Sequence, residues 1–314
     1  MDVALLRSSA ANGDPHAQTL LARRHIIGRE VAYDPDEAVR LLNLAASQEF
    51  PLALLLSATF AAQGIGRPQD FQDAIQFVSR AAATGSARAI GQLNALGGVG
   101  GFNPDDWLSS ANSAQHSAAP RIFTTEKLIP KAACAWLAGE ALLRLQRAPV
   151  KDAALGGSSI SAARSNSGCG FSKIEADLVL QMTRLRIAAW TGIPTDFQEP
   201  PNILHYDRGQ EYRPHYDFVR ADEEDGLAGE LRAFGQRQVT ALVYLNDDYE
   251  GGETVFPRLS WGYKGGTGDA LMFWNLAESG DREGLSIHAG APVLNGQKII
   301  LSQWIRQKVV PVSH

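Results

Sequence analysis

Residues 206–217 read YDRGQEYRPHYD and end on His215 and Asp217, with one tyrosine between them. Neighbouring residues of a β-strand point to opposite faces, so these two side chains share one face of a strand. A second histidine, His288, lies further along the chain. Two imidazoles and one carboxylate suit one face of an octahedral Fe(II) ion and leave its other positions open. The sequence therefore predicts an iron site formed by His215, Asp217 and His288.

Lys298, ten residues after His288, is the second informative feature of this region. The open positions of such an iron site accept a chelating 2-oxo acid and O2. If that acid carries a second carboxylate, its far end needs a cation, and a partly buried ammonium group pairs well with a carboxylate. We therefore predict that Lys298 binds the distal carboxylate of a dicarboxylic cosubstrate.

Four segments resemble the prolyl 4-hydroxylase branch of the 2-oxoglutarate/Fe(II) dioxygenases, and they occur in that family's order. They are YDRGQEYRPHYD (206–217), RQVTALVYLNDDYEGGETVFP (237–257), GDALMFW (268–274) and SIHAGAPVLNGQKIILSQWIR (286–306). The resemblance implies an α+β fold, with a double-stranded β-helix (jelly roll) as the catalytic domain and helices packed on its outer face. It also implies Fe(II), 2-oxoglutarate as cosubstrate, O2, and ascorbate as reductant.

The same resemblance assigns roles to further residues. Tyr244 matches a tyrosine that hydrogen-bonds the distal carboxylate of 2-oxoglutarate, beside Lys298. Tyr206 matches one that lines the metal-proximal end of the cosubstrate site. Arg237 and Trp304 match positions that face the substrate pocket, and we count Arg237 among the catalytic residues and Trp304 among the cofactor-binding ones.

Two arginines bear on the identity of the substrate, for which two alternatives remain. Where collagen-modifying prolyl hydroxylases carry a histidine two residues after the tryptophan, this chain has Arg306, and a guanidinium pairs well with a substrate carboxylate. Arg164, in a segment similar to one that precedes the barrel in relatives, is expected to face either substrate or a core acid. The family likeness favours a prolyl residue in a peptide or protein. Arg306 favours the alternative, a free or carrier-bound amino acid.

Residues 1–95 repeat with a period of 36 residues. Alanines recur at this interval in two series: Ala10, Ala46 and Ala82, then Ala17, Ala53 and Ala89. Small residues at fixed places let paired helices approach closely, and the pattern resembles Sel-one-like, tetratricopeptide-related repeats of two helices each. We expect about five helices, a short α-solenoid whose first unit lacks its first helix. It is expected either to dock a partner or to pack on the catalytic domain.

The chain thus divides into a helical repeat domain (1–95), a Gly- and Ser-rich linker (96–120) and a dioxygenase domain (121–314). Apolar residues at helical spacing predict a helix over 124–147, with Thr125 as its N-cap, and a second over 173–192. The stretch 219–238 is too polar for a strand, and its acidic run, 222–225, is interpreted as a solvated loop or, alternatively, as a lid that faces substrate.

Composition narrows the function classes. A net charge of −5 gives no sign of a broad nucleic-acid-binding surface. Two cysteines, Cys134 and Cys169, do not form a disulfide framework, which is typical of a reducing compartment. The start of the chain has no signal-peptide pattern, and no run of about eighteen apolar residues predicts a membrane helix. We expect a cytoplasmic protein that binds neither nucleic acid nor membrane.

Overall fold

The computed structural model describes residues 2–98, 100–147, 150–152, 157–159, 165–172, 174–219 and 225–311. The chain forms two compact units. The repeat unit comprises Met1–Trp107 with Lys173–Thr183, and the catalytic unit comprises Leu108–Ser172 with Arg184–Val312. Among the described residues, none of the helices combines the length and apolar character needed to cross a bilayer.

Six helices make up most of the repeat unit. They are α1 (Val3–Ala11), α2 (Pro15–Ile27), α3 (Pro35–Ala46), α4 (Pro51–Gln63), α5 (Phe71–Ala83) and α6 (Ala87–Ala95). Their ends repeat with the sequence period. The side chains of Asp34 and Asp70 each accept a backbone N–H at the start of α3 and α5. Gly28 and Gly64, at φ 67° and 69°, end α2 and α4 in the left-handed conformation that glycine adopts without strain.

The alanine series lies between these helices. Ala17, Ala53 and Ala89 are each fully buried, so the helices approach closely at the same place in every unit. The expectation of five helices is wrong, because α1 supplies the first helix of the first unit. This helix has only nine residues, and Leu5 on it is 57% exposed, so its apolar pattern is weak.

The remaining helices and all the strands follow. The helices are α7 (Pro104–Leu108), α8 (Lys131–Leu142), α9 (Leu178–Thr191) and α10 (Asp225–Phe234). The strands are β1 (Ala114–Ala118), β2 (Arg121–Thr125), β3 (Gln146–Arg147), β4 (Val150–Asp152), β5 (Gly157–Ser159), β6 (Ser167–Gly170), β7 (Asn202–Tyr206), β8 (Tyr212–His215), β9 (Arg237–Tyr244), β10 (Glu250–Gly251), β11 (Thr254–Phe256), β12 (Trp261–Tyr263), β13 (Ala270–Trp274), β14 (His288–Gly290), β15 (Val293–Asn295) and β16 (Lys298–Arg306).

Two antiparallel sheets form the jelly roll that was expected of the catalytic unit. The larger sheet has the order β1-β2-β13-β9-β16-β7-β6-β3, and the smaller has the order β12-β11-β14-β8. Two short pairs, β10 with β15 and β4 with β5, lie outside them. Phe256 of the small sheet packs edge-to-face on Phe273 of the large sheet, with ring centroids 5.1 Å apart. The apolar core of the unit therefore lies between the two sheets.

The predicted linker 96–120 is corrected by the structure. It contains α7 and the edge strand β1, which pairs antiparallel with β2. The sequence of β1, AQHSA, is small and polar because an edge strand has little to bury, so it shows no apolar alternation. His116, in β1, bonds Thr124 through Nε2 at 2.7 Å.

Two helix boundaries differ from the predictions, and one helix was not predicted. The helix predicted over 124–147 is α8, which begins only at Lys131; Thr125 ends β2 and caps no helix. The helix predicted over 173–192 is α9, followed by Gly192 at φ 73°. The stretch 219–238, in which no helix was predicted, contains α10, and most of its acidic run, 222–225, lies outside the described residues.

Candidate active site

The strand pairing of the small sheet brings the three predicted iron ligands together. His288 of β14 lies opposite His215 of β8, and Asp217 follows β8 by two residues. Nε2 of His215 is 3.7 Å from Oδ1 of Asp217, and Nε2 of His288 is 3.5 Å from its Oδ2. One ligand atom from each residue lies within 4.8 Å of the others. This spacing suits three atoms that bind one ion.

Both histidines have the tautomer that a metal needs. Nδ1 of His215 is 2.8 Å from the carbonyl oxygen of Arg213, and Nδ1 of His288 is 3.0 Å from that of Ser286. A carbonyl oxygen only accepts hydrogen bonds, so each Nδ1 carries the hydrogen. The lone pair of each Nε2 is then left for a metal ion. The donor set therefore fits Fe(II).

Burial and aromatic packing fix the ligand side chains. Asp217 is 6% exposed and His288 is 5% exposed. The ring of Tyr212 stacks on His215 with centroids 3.5 Å apart, and Phe273 lies 4.5 Å from the ring of His288. Burial alone would raise the pKa of Asp217, but the two histidines and a hydrogen bond from Thr240 hold that pKa below its ordinary value. The carboxyl group is thus kept ionised for a cation.

Lys298 lines the same cavity as the three ligands. Its side chain is 1% exposed, its Nζ donates to the carbonyl oxygen of Gly252 at 2.6 Å, and it lies 5.3 Å from the ring centroid of Tyr206. Burial lowers the pKa of Lys298 to about 7, although the negative charge of Glu253 opposes the shift. A buried ammonium group with little compensating charge is a strong binding point for a carboxylate.

The two tyrosines assigned to the cosubstrate are placed differently. Tyr206 lines the cavity, as predicted. Tyr244 is fully buried and does not line it: its hydroxyl is 3.2 Å from the carbonyl oxygen of Tyr263 and 3.0 Å from Oγ1 of Thr254. Tyr244 donates to that carbonyl and accepts from Thr254, because a carbonyl cannot donate. The role predicted for Tyr244 stays a prediction, and Thr254, which bonds the hydroxyl of Tyr244, lines the cavity.

Sequence reasoning did not single out Thr254, which follows the glycine pair Gly251 and Gly252 in an acidic segment. A signal was present: Thr254 begins the short strand TVF, where residues at every second position share a face.

The substrate-side residues form a partly buried ionic network, defined here as Glu199, Arg237, Arg306 and Glu230. Arg237 binds Glu199 through two hydrogen bonds of 2.7 and 3.0 Å, and its guanidinium carbon lies 3.6 Å from the ring centroid of Trp304. Trp304 itself lines the cavity. Burial alone would raise the pKa of Glu199, but the two arginines hold it below its ordinary value.

Arg306 belongs to this network and is 2% exposed. It pairs with Glu199, and its Nη2 lies 3.1 Å from Glu230. Its Nη1 donates to the carbonyl oxygen of Gly235 at 2.9 Å. The prediction that Arg306 pairs with a substrate carboxylate is corrected, because two protein carboxylates already neutralise it. Glu199 and Glu230 were not predicted, because neither lies in a recognisable sequence motif. Arg164 lies outside the described residues.

Comparisons with known proteins agree with this geometry. Residues 201–306 match the family described as the 2OG-Fe(II) oxygenase superfamily. The chain is 34% identical over 205 residues to the probable prolyl 4-hydroxylase 3 of Arabidopsis thaliana, covering 59% of this chain and 69% of that protein. It is 32% identical over 251 residues to the probable prolyl 4-hydroxylase 7 of the same plant, covering 74% and 75%.

Among solved structures, a viral collagen prolyl hydroxylase from Paramecium bursaria Chlorella virus-1, in complex with 2OG, is 24% identical. It covers 59% of this chain and 95% of that one, with a TM-score of 0.46. On the superfamily match, the sequence identity to plant relatives over more than two thirds of their length and the ligand geometry, this chain belongs to the prolyl 4-hydroxylase family of the 2OG-Fe(II) oxygenases.

Proposed function

We propose that this protein hydroxylates prolyl residues of a peptide or protein, with 2-oxoglutarate as cosubstrate and succinate and CO2 as co-products. The observation that carries the proposal is one cavity lined by His215, Asp217, His288 and Lys298. When bound there, Fe(II) supplies the oxidative chemistry that couples decarboxylation of 2-oxoglutarate to insertion of an oxygen atom from O2 into a C–H bond. Relatives of more than 30% identity are named prolyl 4-hydroxylases.

The residues of this chain would contribute binding, orientation and exclusion of water. Lys298 would pair with the distal carboxylate of 2-oxoglutarate and so orient its 2-oxo acid end toward the metal ligands. Apolar side chains of the large sheet line the cavity, among them Leu204, Leu242 and Ile300, and they keep water away from the reacting atoms. Trp304, held by its stack with Arg237, offers a flat apolar wall for a pyrrolidine ring.

The charge pattern supports an uncharged substrate group. Among the described residues that line the cavity, Lys298 is the one lysine or arginine, and the cosubstrate would occupy it. Arg237 and Arg306 are engaged by protein carboxylates. A free amino acid has its own carboxylate. Burying that carboxylate in the cavity is unfavourable unless a further cation pairs with it. An internal prolyl residue carries no charge and makes no such demand.

The test is an assay of the purified protein with Fe(II), ascorbate and 2-oxoglutarate under air. Proline-containing peptides and free amino acids, including proline, are supplied in parallel, and succinate and hydroxylated product are quantified by mass spectrometry. We expect succinate formation that rises with peptide and a product that gains one oxygen atom on proline.

Asp217→Ala is the control variant and should abolish both products. Hydroxylation of a free amino acid without hydroxylation of any peptide would overturn the proposed substrate, and would favour a small-molecule hydroxylase. Succinate formation that survives in Asp217→Ala would overturn the metal assignment itself.

A further inference from the structure

A chain of two hydrogen bonds runs through the core to the metal-site carboxylate. Oγ1 of Thr240, on strand β9, is 2.7 Å from Oδ2 of Asp217. Nδ2 of Asn275, the residue after β13, is 2.9 Å from the same Oγ1. Thr240 and Asn275 are both 0% exposed, so water does not compete for these bonds. The large sheet thus holds a ligand that belongs to the loop after the small sheet.

The chemistry of the three groups determines which one donates each hydrogen bond. The ionised carboxylate of Asp217 has no hydrogen, so the short contact requires Thr240 to donate. A threonine hydroxyl has one hydrogen, and therefore it can only accept from its other neighbour. The amide NH2 of Asn275 is that donor. Asn275 consequently selects the rotamer of the hydroxyl that points at Asp217.

Asn275 itself is held firmly by its backbone. Its N–H donates to the carbonyl oxygen of Gln238 at 2.9 Å, and its own carbonyl oxygen accepts the N–H of Glu283 at 2.9 Å. Its side-chain Oδ1 is buried and has no hydrogen-bond partner among the described residues. A buried acceptor without a partner is unfavourable for folding. An apolar residue of similar size would avoid that loss, so stability alone does not account for an asparagine here.

We propose that Thr240 and Asn275 are positioning residues that hold Asp217 in the orientation in which it binds iron. Asn275 orders the hydroxyl of Thr240, and Thr240 restrains the carboxylate so that it does not rotate away from the two histidines. The inference rests on the assignment of Asp217 as an iron ligand, but not on the identity of the substrate. Outer hydrogen bonds of this kind typically change metal affinity by about 10- to 100-fold.

The test measures metal binding rather than turnover. Mn(II), which is stable in air, replaces Fe(II) as the probe in isothermal titration calorimetry. Thr240→Val keeps the shape of the side chain and removes the donor, and we expect Mn(II) affinity to fall by about 10- to 100-fold. Thr240→Ser keeps the hydroxyl and should stay within about threefold of the parent protein. Thr183→Val, at a site that is also 0% exposed, is the matched control and should bind Mn(II) like the parent.

A double-mutant cycle tests the chain as a unit. Asn275→Leu should weaken Mn(II) binding, and the double variant Thr240→Val with Asn275→Leu should bind no more weakly than Thr240→Val alone. Unchanged affinity in both single variants, or losses that add in the double variant, would overturn the proposal. If Thr240→Val fails to fold, as judged by circular dichroism, Asn275→Leu compared with Thr183→Val decides alone. Absence of prolyl hydroxylation by the parent protein would contradict the proposed function, but it would not affect the conclusion drawn from the Mn(II) affinities.

Discussion

Lys298 places a titratable amine almost completely out of solvent, and its surroundings explain why that state is useful. Among the described residues, its Nζ has one hydrogen bond, to the carbonyl oxygen of Gly252, and two tyrosine rings lie within 6 Å. A carboxylate brought to this position would find a cation that is only weakly compensated. The residue is therefore suited to bind an anion and contributes less to holding the fold.

Lys298→Met should weaken 2-oxoglutarate binding by about 10- to 100-fold, as expected for loss of one hydrogen bond between charged groups in a buried site. Mn(II) affinity should be unchanged, because Lys298 does not belong to the ligand set. Titration calorimetry with 2-oxoglutarate on the Mn(II)-loaded protein measures the loss. Lys264→Met is the matched control, since Lys264 also donates to a backbone carbonyl, that of Tyr249. Equal losses in the two variants would contradict the assignment.

The pKa of Lys298 also predicts a proton linkage. That pKa is about 7 in the free protein, and pairing with a carboxylate raises it. Above pH 7 the lysine is largely neutral before binding and charged afterwards, so binding of 2-oxoglutarate takes up a proton; at pH 6 it is already charged and takes up little. Calorimetry at pH 8 in phosphate and in Tris, two buffers of different ionisation enthalpy, should give different apparent enthalpies. Identical enthalpies at pH 8 would show that Lys298 does not titrate on binding.

At the scale of elements, α10 is a helix that the sequence did not predict. Its sequence, DGLAGELRAF, contains two glycines and begins next to an acidic run, so propensity alone does not favour a helix. Tertiary contacts favour it instead: Glu230 binds Arg306 of β16, and Arg306 also donates to the carbonyl oxygen of Gly235, just past the helix. The helix is attached to the sheet by a buried cation.

Glu230→Gln should loosen this attachment. We expect a loss of about 1 kcal/mol in the free energy of unfolding, because Arg306 is buried although Glu230 is 32% exposed. Urea unfolding measures the loss, and hydrogen–deuterium exchange should become faster in residues 225–234. Glu37→Gln is the matched control: Glu37 is 31% exposed but pairs with the exposed Arg40, so its loss should be a few tenths of a kcal/mol. Equal losses would mean that burial of the arginine adds nothing.

At the scale of the whole molecule, the boundary between the units does not follow the chain. Lys173–Thr183 belongs to the repeat unit although it lies far from it in sequence. Within that unit, the N–H of Leu178 donates to Oε1 of Gln92 at 3.2 Å, and Arg88 pairs with Asp177 at 3.4 Å. Helix α9 therefore begins in one unit and ends in the other. We therefore expect removal of the repeats to disturb the start of α9.

A chain shortened to residues 108–314 should be less stable than the full chain. Removal of Met1–Trp107 would break the hydrogen bond from Leu178 to Gln92 and the ion pair of Asp177 with Arg88, and would separate Lys173–Thr183 from the rest of its unit. We expect a lower melting temperature, binding of a dye that reports exposed apolar surface, and aggregation on size-exclusion chromatography. A monodisperse fragment with the melting temperature of the full protein would contradict this division of the chain.

The sequence by itself determined the features whose signal is local or periodic. The spacing His215-x-Asp217 predicted two side chains that reach one ion, although Asp217 lies just past strand β8, and the 36-residue period predicted the paired helices. These patterns depend on neighbours a few residues away or on exact repetition. They can therefore be recognised in the sequence without a structure.

Only the tertiary structure showed which charged side chains are neutralised by other residues of the protein. Arg306 was interpreted as a substrate-binding group, but Glu199 and Glu230, distant in sequence, neutralise it. Asn275 and Thr240 carried no motif, and they reach Asp217 only because β9 and β13 are neighbours in the large sheet. Such contacts join residues across long loops, and their energy depends on burial that the chain acquires only when the two sheets close over the core.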